Sequence, residues 1–421
     1  MSRPAAFSRT AFVLSVLAGA ACAQTGTVKP PQAQAWIDVA TFSGMGMPMG
    51  GMPGAGGNPM SALGGMFGGG GGGAKNSFGH TQQMSAGRWV DVTLYSRNNP
   101  SLAEAQQAVP AGFMSPALKL QAPRDAKPPP PDSDEPIEHE VEKPRGRLLL
   151  YWGCGATVRA GQPKVLDMAS ASAADMAKFF QSRRATQRGT HSAAGRPLWP
   201  SLIDGRMVPD TASLVGEHAF SGSGVPEGFR FQIPAAQDLM PPLQVSQSDQ
   251  GGATALGWGA LPTARAYFVG GIGASKAEEM VIWTSSEQPD IGFGLIDYQT
   301  NGAVDRWLRD GVLLAPATTQ CTVPKGVFPG EGAMLRVIAY GSELNLVHPS
   351  RPADPKANWE PVWATKIRVK SVASLMLGMP AMEPMPSATR GSAAPTEPAD
   401  QAGQSDKSPK PLDLLRGILG R

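Results

Sequence analysis

The chain has 421 residues, including 51 Gly, 40 Pro and 3 Cys, and its 41% hydrophobic fraction fits a globular protein with disordered inserts better than wholesale disorder. The 37 Lys and Arg residues exceed the 34 Asp and Glu residues by only three, so the chain lacks the basic surplus that nucleic-acid binding requires. No segment after the N-terminus has 18 consecutive apolar residues, so we expect no transmembrane segment in the mature chain.

The first 23 residues have the pattern of a secretory signal peptide. Two arginines precede an apolar run over residues 11–21, and Ala21 and Ala23 supply the small side chains that signal peptidase requires. The run has about half of the roughly 20 residues that a membrane anchor needs, and Gly19 stands where a lipoprotein motif at Cys22 requires a larger aliphatic residue. We therefore predict cleavage near Ala23 and a periplasmic or secreted protein.

Two segments have compositions that cannot offset their backbone entropy by burial. In residues 44–73, 15 of the 30 residues are Gly. Residues 122–144 contain four consecutive prolines and seven acidic side chains against three basic ones. We predict that both are disordered inserts, the first after an N-terminal strand in residues 24–43 and the second within a β-rich domain at residues 74–238.

The rest of the first half predicts strands and one helix. Alternating or continuous apolar runs predict strands at residues 35–42, 88–95, 147–152, 157–159, 214–221 and 228–233. Met176, Phe179 and Phe180 recur at the spacing of one buried helical stripe, which predicts a helix over residues 173–184.

A composition break at residues 240–242 precedes a more regular half of the chain. Short apolar runs recur there about seven times, the strand count of an immunoglobulin-like sandwich. They lie at residues 243–246, 254–261, 265–270, 280–284, 312–322, 333–340 and 364–372.

The motif LGWGALPTARAYFV at residues 256–269 resembles a fibronectin type III module, in which a strand Trp and a Tyr on the next strand pack in the core. Trp258 and Tyr267 would be that pair, and LRVIAYG at residues 335–341 is similar to the penultimate strand of the family. The resemblance covers roughly residues 239–372, about a third of the chain. The resemblance implies a β-sandwich that serves as a binding module or as a spacer between other parts of a protein, and it implies no catalytic residue.

One segment departs from the fibronectin type III pattern. Residues 301–311 read NGAVDRWLRDG, with an Asn at the start, a Gly at the end, and Val304, Trp307 and Leu308 on one face. This pattern predicts an inserted helix capped by Asn301.

Together these patterns predict a mainly β fold with two β-sandwich-like domains, short inserted helices, and disordered Gly/Met-rich and Pro-rich inserts. A Met-rich and then disordered tail follows at residues 373–410. Residues 411–421 predict a short amphipathic helix that is too short to be stable alone. Docking on its own domain, on a partner or on a membrane surface stays open for this helix.

The mature chain keeps two cysteines, Cys154 and Cys321, each in or beside a predicted strand. An even count in an oxidising compartment predicts one disulfide between the two halves of the chain. The alternative is two separate buried thiols that pack as small hydrophobic groups.

Methionine is concentrated in two arrays whose thioether sulfurs are the soft ligands that Cu(I) prefers. No His or Cys stands within either array, so Met as a flexible filler in low-complexity sequence is the preferred interpretation. Any metal site would use Met45, Met47, Met49, Met52, Met376, Met379, Met382 and Met385.

Enzyme signatures are scarce. The five histidines are dispersed without a metal-binding spacing, and neither a P-loop nor a nucleophile elbow is present. Glu217 and His218 precede Ser221 by a few residues, but triad members converge from separate loops, so we predict a polar strand there. Gly271 and Gly273 follow a predicted strand and indicate a hairpin more than a dinucleotide loop.

These observations favour an exported, non-catalytic β-sandwich protein that binds or scaffolds an envelope protein or polymer, with no cofactor. A periplasmic Cu(I)-handling protein and an unrecognised secreted hydrolase are the alternatives.

Overall fold

The computed structural model describes residues 28–44, 78–82, 86–114, 117–123, 146–186, 189–276, 279–329, 333–354 and 356–377. These ranges are mainly β, which confirms the predicted fold class. The first half contributes β1 (Ala33–Gly44), β2 (Gly87–Ser96), β3 (Glu104–Ala108), β4 (Ala117–Gln121), β5 (Arg147–Trp152), β6 (Lys164–Asp167), β7 (Leu198–Trp199), β8 (Gly216–Gly222) and β9 (Arg230–Ile233). The second half contributes β10 (Val245–Gln250), β11 (Ala253–Trp258), β12 (Ala266–Lys276), β13 (Glu279–Thr284), β14 (Gln320–Val323), β15 (Met334–Tyr340), β16 (Leu344–His348) and β17 (Trp363–Met376). The described helices are α1 (Ala173–Phe179) and α2 (Asn301–Arg309), with 3-10 turns at Ala235–Gln237 and Phe293–Leu295.

Most strands belong to one large sheet. Its 14 strands follow the order β6-β5-β13-β12-β15-β17-β1-β2-β7-β4-β3-β8-β9, with β16 paired to β17. The other three described strands form a separate sheet in the order β10-β11-β14. The centre of the large sheet is therefore built from both halves of the chain.

The pairing of β1 with β17 links the two ends of the described chain. The two strands are parallel and stay in register from Ala33 opposite Trp363 to Gly44 opposite Ser374. A second parallel pair joins β5 to β13. Because these backbone pairs connect segments that the sequence assigns to different domains, the sheet continues across the boundary predicted at residue 239. All described residues belong to one compact unit, Met1–Met382.

One face of the large sheet carries the main apolar core. Alternate residues of the central strands point to this face, since side chains in a strand alternate with a period of two. Ile37, Val337 and Val369 are buried there together with Leu256 and Trp258 of the three-stranded sheet. The small sheet thus packs on the large one, in the manner of a β-sandwich.

Trp258 and Tyr267, which the fibronectin type III resemblance implies are a packed pair, contact each other in the structure. Their ring centroids lie 5.5 Å apart, and both side chains are buried. The hydroxyl of Tyr267 also accepts a hydrogen bond from the backbone N–H of Leu261, at 2.7 Å.

The opposite face of the large sheet is covered by α2 and its neighbouring loops. Val304 and Trp307 of the helix are buried in a second cluster with Phe268 and Ile338 of the sheet. The predicted helix is therefore present, but its cap differs from the prediction. Thr300 is the N-cap and accepts from the N–H of Ala303 at 3.3 Å, whereas the side chain of Asn301 bonds the backbone of Glu343.

Helix α1 is shorter than the sequence predicts. It begins at a capping box formed by Ser172 and Asp175 and ends at Phe179 instead of continuing to residue 184. The reason lies in Asp290, whose carboxylate accepts the backbone N–H of Arg183 at 3.0 Å and its guanidinium at 2.9 Å. This N–H cannot also bond within a helix, so α1 cannot extend as far as Arg183.

Several predicted segments lie outside the described residues. They are the signal peptide at 1–23, the Gly/Met-rich insert after Gly44, residues 124–144 of the Pro-rich insert, and the tail and C-terminal helix from residue 378 onward. Within the described ranges, neither helix has the length and apolarity needed to cross a membrane.

Candidate functional site

Cys154 and Cys321 are joined by a disulfide, with their Cα atoms 5.3 Å apart and a sequence separation of 167. Cys154 follows β5, and Cys321 lies within β14. Hydrogen bonds from Gly155 to Thr322 and from Lys325 to Ala156, at 2.9 and 3.1 Å, flank the disulfide. It therefore fastens the loop after β5 to the three-stranded sheet.

Only one of the methionines predicted as metal ligands lies in the described part of the chain. Met376 is the last residue of β17, where it is half-buried and pairs across strands with Met334 of β15. The other seven lie outside the described residues: Met45, Met47, Met49, Met52, Met379, Met382 and Met385. The described ranges contain no cluster of three His, Cys, Asp or Glu side chains able to hold a metal ion.

His218 is a buried strand residue with both ring nitrogens occupied. Its Nδ1 lies 3.1 Å from the side-chain nitrogen of Gln107, and its Nε2 lies 2.7 Å from the carbonyl oxygen of Leu214. Burial lowers the pKa of the imidazole. Glu217 is exposed on the other face of β8, so the acid and the base of this segment do not act together.

Gly271 and Gly273 lie in β12, which forms an antiparallel hairpin with β13. The hairpin interpretation of this motif is therefore confirmed.

The covered face of the large sheet carries a row of basic side chains. Lys366, Arg368 and Lys370 occupy alternate positions of β17, and the neighbouring strand β15 carries Arg336. Lys366 reaches Glu343 at 3.0 Å and is partly exposed, whereas the other three are buried. Because burying a charge costs free energy unless it is paired, the partners of these three residues matter.

Arg368 is paired with a buried carboxylate. Its Nε and Nη2 donate to the two carboxylate oxygens of Asp38 at 2.7 and 2.6 Å, and Asp38 also accepts from the N–H and hydroxyl of Thr190. Burial alone would raise the pKa of Asp38, but Arg368 and Thr190 hold it below its ordinary value. The carboxylate and the guanidinium therefore form a bidentate pair, the strongest geometry for such ions.

Lys370 is stabilised by weaker contacts. Its Nζ donates to the carbonyl oxygen of Ile296 at 3.3 Å and lies 4.4 Å from the ring centroid of Tyr298. Burial lowers the pKa of Lys370 to about 8. Tyr298 is itself buried, and burial raises the pKa of its hydroxyl well above the ordinary value.

Arg336 has no hydrogen bond or ion pair with any residue in the described ranges. Its side chain is 8% exposed, and burial lowers its pKa to about 10, with no carboxylate among the described residues to raise it. It lines a cavity of about 50 Å³, which we call the Arg336 cleft. The other walls are mostly apolar and include Phe268, Ile272, Ile282, Ile291, Met334 and Ile338.

The remaining side-chain donors of the cleft are engaged elsewhere. Thr284 donates its hydroxyl to the carbonyl oxygen of Asp290 at 3.2 Å, and Trp283 donates its indole N–H to Gly153 at 3.1 Å. The backbone N–H of Gly292 is bound by the carboxylate of Asp290 at 2.7 Å. Arg336 is therefore the one side-chain donor among the described lining residues that is free for a ligand.

Glycine at position 292 keeps the cleft open. Its φ of +78° lies in the left-handed region, and a Cβ there would approach the ring of Phe268 to 2.8 Å. Any side chain at this position would therefore strain the backbone and crowd Phe268, which lines the cavity.

The sequence does not single out Arg336 as a site residue, although one feature of the sequence could have drawn attention to it. In MLRVIAY, Arg336 occupies the same strand face as the apolar residues Met334 and Ile338. An arginine at such a position indicates either a buried ion pair or a ligand site, and only the structure decides between them.

Comparison of the chain with known protein families, with curated proteins and with solved structures finds no match. The function must therefore be argued from the geometry of the site.

Proposed function

We propose that the protein is an exported, non-catalytic binding component of the cell envelope and that the Arg336 cleft is its ligand site. The observation that carries the proposal is a nearly buried arginine in an apolar cavity, with no partner among the described residues. Such a charge is costly in the free protein. A ligand with a negative charge would compensate it, so we infer that the ligand is an organic anion.

Binding rather than catalysis is supported by the chemistry of the cleft. A nucleophile needs an adjacent base, and a general acid or base needs a titratable side chain that reaches the ligand. The Thr284 hydroxyl faces a backbone carbonyl, and Lys370 bonds the carbonyl of Ile296. The described walls thus offer one fixed charge and apolar surface.

Export is supported by two independent features. The first 23 residues have a signal-peptide pattern, and the disulfide between Cys154 and Cys321 is of the kind that persists in oxidising compartments.

Saturation-transfer NMR on the mature, disulfide-intact chain tests the binding function. The panel contains small organic anions, cations and neutral compounds of matched size, each applied to the wild type and to Arg336→Met. We expect signals from anions in the wild type and their loss in the variant. Signals confined to cations or neutral compounds, or none from the panel, would refute the proposal.

A second candidate function, Cu(I) handling, is favoured by the register of β1 and β17. Gly44 pairs with Ser374 near the ends of the two parallel strands, so the Met-rich segments that follow begin at the same edge of the sheet. Met376 and Met334 are cross-strand neighbours at that edge. Thioether sulfurs from separate parts of the sequence could therefore converge on one soft ion.

Competition titration against a Cu(I) chelator separates this candidate from the first. Replacing the methionines of either array by leucine should weaken Cu(I) binding if both arrays share one ion. Met207→Leu is the matched control, because Met207 is 57% exposed and lies outside both arrays. Equal Cu(I) affinity in the array variants and the control would eliminate the candidate.

A further inference from the structure

We propose that the Arg336 cleft selects a monocarboxylate with a short apolar body, either a free acid or the carboxylate end of a longer molecule. This inference rests on the proposed binding function and names the chemical class of the ligand.

The number of donors in the cleft favours a carboxylate over a phosphate. A guanidinium presents its N–H groups as a planar fork that matches the two oxygens of a carboxylate. A phosphate dianion requires further donors or a second charge. Thr284 and the N–H of Gly292 are committed to Asp290, so among the described lining residues Arg336 alone remains to meet the anion.

The walls and the size of the cavity limit the rest of the ligand. A water-sized group needs about 10 to 15 Å³ of such volume, so the cavity of about 50 Å³ holds on the order of four groups. One carboxylate with one or two carbons fills it. Ile282, Ile291 and Phe268 would contact these carbons, and burying them is favourable.

The charges around the cleft are arranged so that an anion is not repelled. Asp290 adjoins the cleft, but its carboxylate already accepts from Ser182, Arg183 and Gly292. Lys370 interacts electrostatically with Arg336, which adds positive potential on the same face. Asp38 is neutralised by Arg368. The described groups therefore leave a local positive surplus.

Isothermal titration of the mature chain with propionate, propanol, propylamine and ethylphosphonate tests the selectivity. We expect propionate to bind more tightly than the other three compounds. Arg336→Met should weaken propionate binding about 10- to 100-fold, the range for a charge-assisted hydrogen-bonded pair, and Arg336→Lys should lie between. Arg230→Met is the matched control, because Arg230 is exposed on β9, and it should leave the affinity unchanged.

A chain-length series from acetate to octanoate separates the two sources of the carboxylate. An optimum near propionate or butyrate identifies a free short acid. Affinity that keeps rising with length identifies the end of a longer molecule, which short peptides with a free or an amidated C-terminal alanine would then define.

Two acidic residues outside the described ranges, Glu278 and Glu331, are near in sequence to strands that line the cleft. The double variant Glu278→Gln/Glu331→Gln tests whether a carboxylate of the chain itself occupies Arg336. Unchanged propionate affinity supports an external ligand. A gain of about tenfold or more would show that an internal carboxylate competes, and would overturn the proposal.

The failures of the two proposals are distinguishable. Tighter binding of ethylphosphonate than of propionate, lost in Arg336→Met, would overturn the carboxylate inference and leave the binding function intact. Absence of binding by every anion in the NMR panel would remove both. Propionate affinity that is equal in the wild type and in Arg336→Met would also overturn the inference, because the ligand would then bind elsewhere.

Discussion

Two buried arginines on adjacent strands of the same sheet, Arg368 and Arg336, differ in whether a carboxylate among the described residues is paired with them. Arg368 is 5% exposed and Arg336 is 8% exposed. Arg368 forms two hydrogen bonds with Asp38 and lies 4.5 Å from the ring centroid of Tyr298. Burial lowers the pKa of both guanidiniums, but Asp38 reverses the effect for Arg368, whereas Arg336 stays at about 10.

The difference separates a structural charge from a functional one. A buried ion pair with every donor satisfied holds strands together, and removing one partner leaves the other charge without compensation. A buried charge without a partner costs stability in the free protein and gains it when an anion binds. The pair Arg368–Asp38 fits the first description, and Arg336 fits the second.

The disulfide provides a reference that lies outside both arginine sites. On the chain-entropy model, a bond that closes a loop of 167 positions contributes about 5 kcal/mol. Cys154→Ala/Cys321→Ala should lower the free energy of unfolding by roughly that amount, as measured in urea. Thiol labelling of denatured, unreduced protein gives the direct check, and two reactive thiols would refute the bond.

Breaking the structural pair should have the next largest effect. Arg368→Met leaves the carboxylate of Asp38 buried, with Thr190 as its one remaining partner among the described residues, which should cost about 3 to 5 kcal/mol of stability. Urea unfolding at neutral pH measures this loss. The double variant Arg368→Met/Asp38→Leu should recover part of it, since no charge is then left unpaired. A double variant no more stable than the single one would show that the pair is not the main contribution.

Much of the local structure could be predicted from the sequence. The run RLLLYW gives β5 at the predicted bounds because it is apolar throughout and ends at Gly153, whose φ of +90° stops the strand. Strands β3 and β4 were missed, since EAQQA and ALKLQ consist largely of residues with low β-propensity. The predicted strand at 157–159 is a loop, and only the end of the one at 312–322 is a strand, β14.

The order of the strands and the candidate site could not be predicted. The pairing of β1 with β17 joins residues 330 positions apart, as the bond between Asp38 and Arg368 shows, and no local pattern encodes such a contact. For the same reason, LRVIAY gives no sign that Arg336 lacks the counterion that Arg368 has. The cleft depends on Gly292 and Ile291, which enter from a loop with no site motif.

The pH dependence of stability should show that two carboxylates facing each other across the β1–β2 pair, those of Asp38 and Asp91, have pKa values shifted in opposite directions. Asp91 lies directly across from Asp38 in the β1–β2 pair. Burial raises the pKa of Asp91 to about 7, although Thr81 and Gly79 donate to it. The folded state therefore holds this proton more tightly than the unfolded state, so stability from Asp91 is full below about pH 4 and is lost as the pH rises to about 7.

Asp91→Asn should remove this dependence of the free energy of unfolding on pH, because the amide resembles the neutral acid. We expect the wild type to lose about 3 kcal/mol between pH 4.5 and pH 7.5 relative to the variant. Asp210→Asn, at an exposed position, is the control and should keep the slope of the wild type. Asp38 does not contribute in this window, since its pKa lies below the ordinary value, and Lys370 titrates above it, at about 8. Parallel curves for the wild type and Asp91→Asn would contradict the assignment.

Arg336→Met should produce the smallest change and one of opposite sign. Methionine has a similar reach and no charge, so it removes the cost of an unpaired buried cation and can pack against Met334 and Phe268 in the cleft. We expect the free energy of unfolding to rise by about 1 to 2 kcal/mol in ligand-free buffer. At a propionate concentration that saturates the wild type, the anion should stabilise the wild type more than the variant, because the variant binds it more weakly. A loss of more than about 1 kcal/mol in Arg336→Met would show that Arg336 is already paired within the chain, and the two buried arginines would then be of the same structural kind.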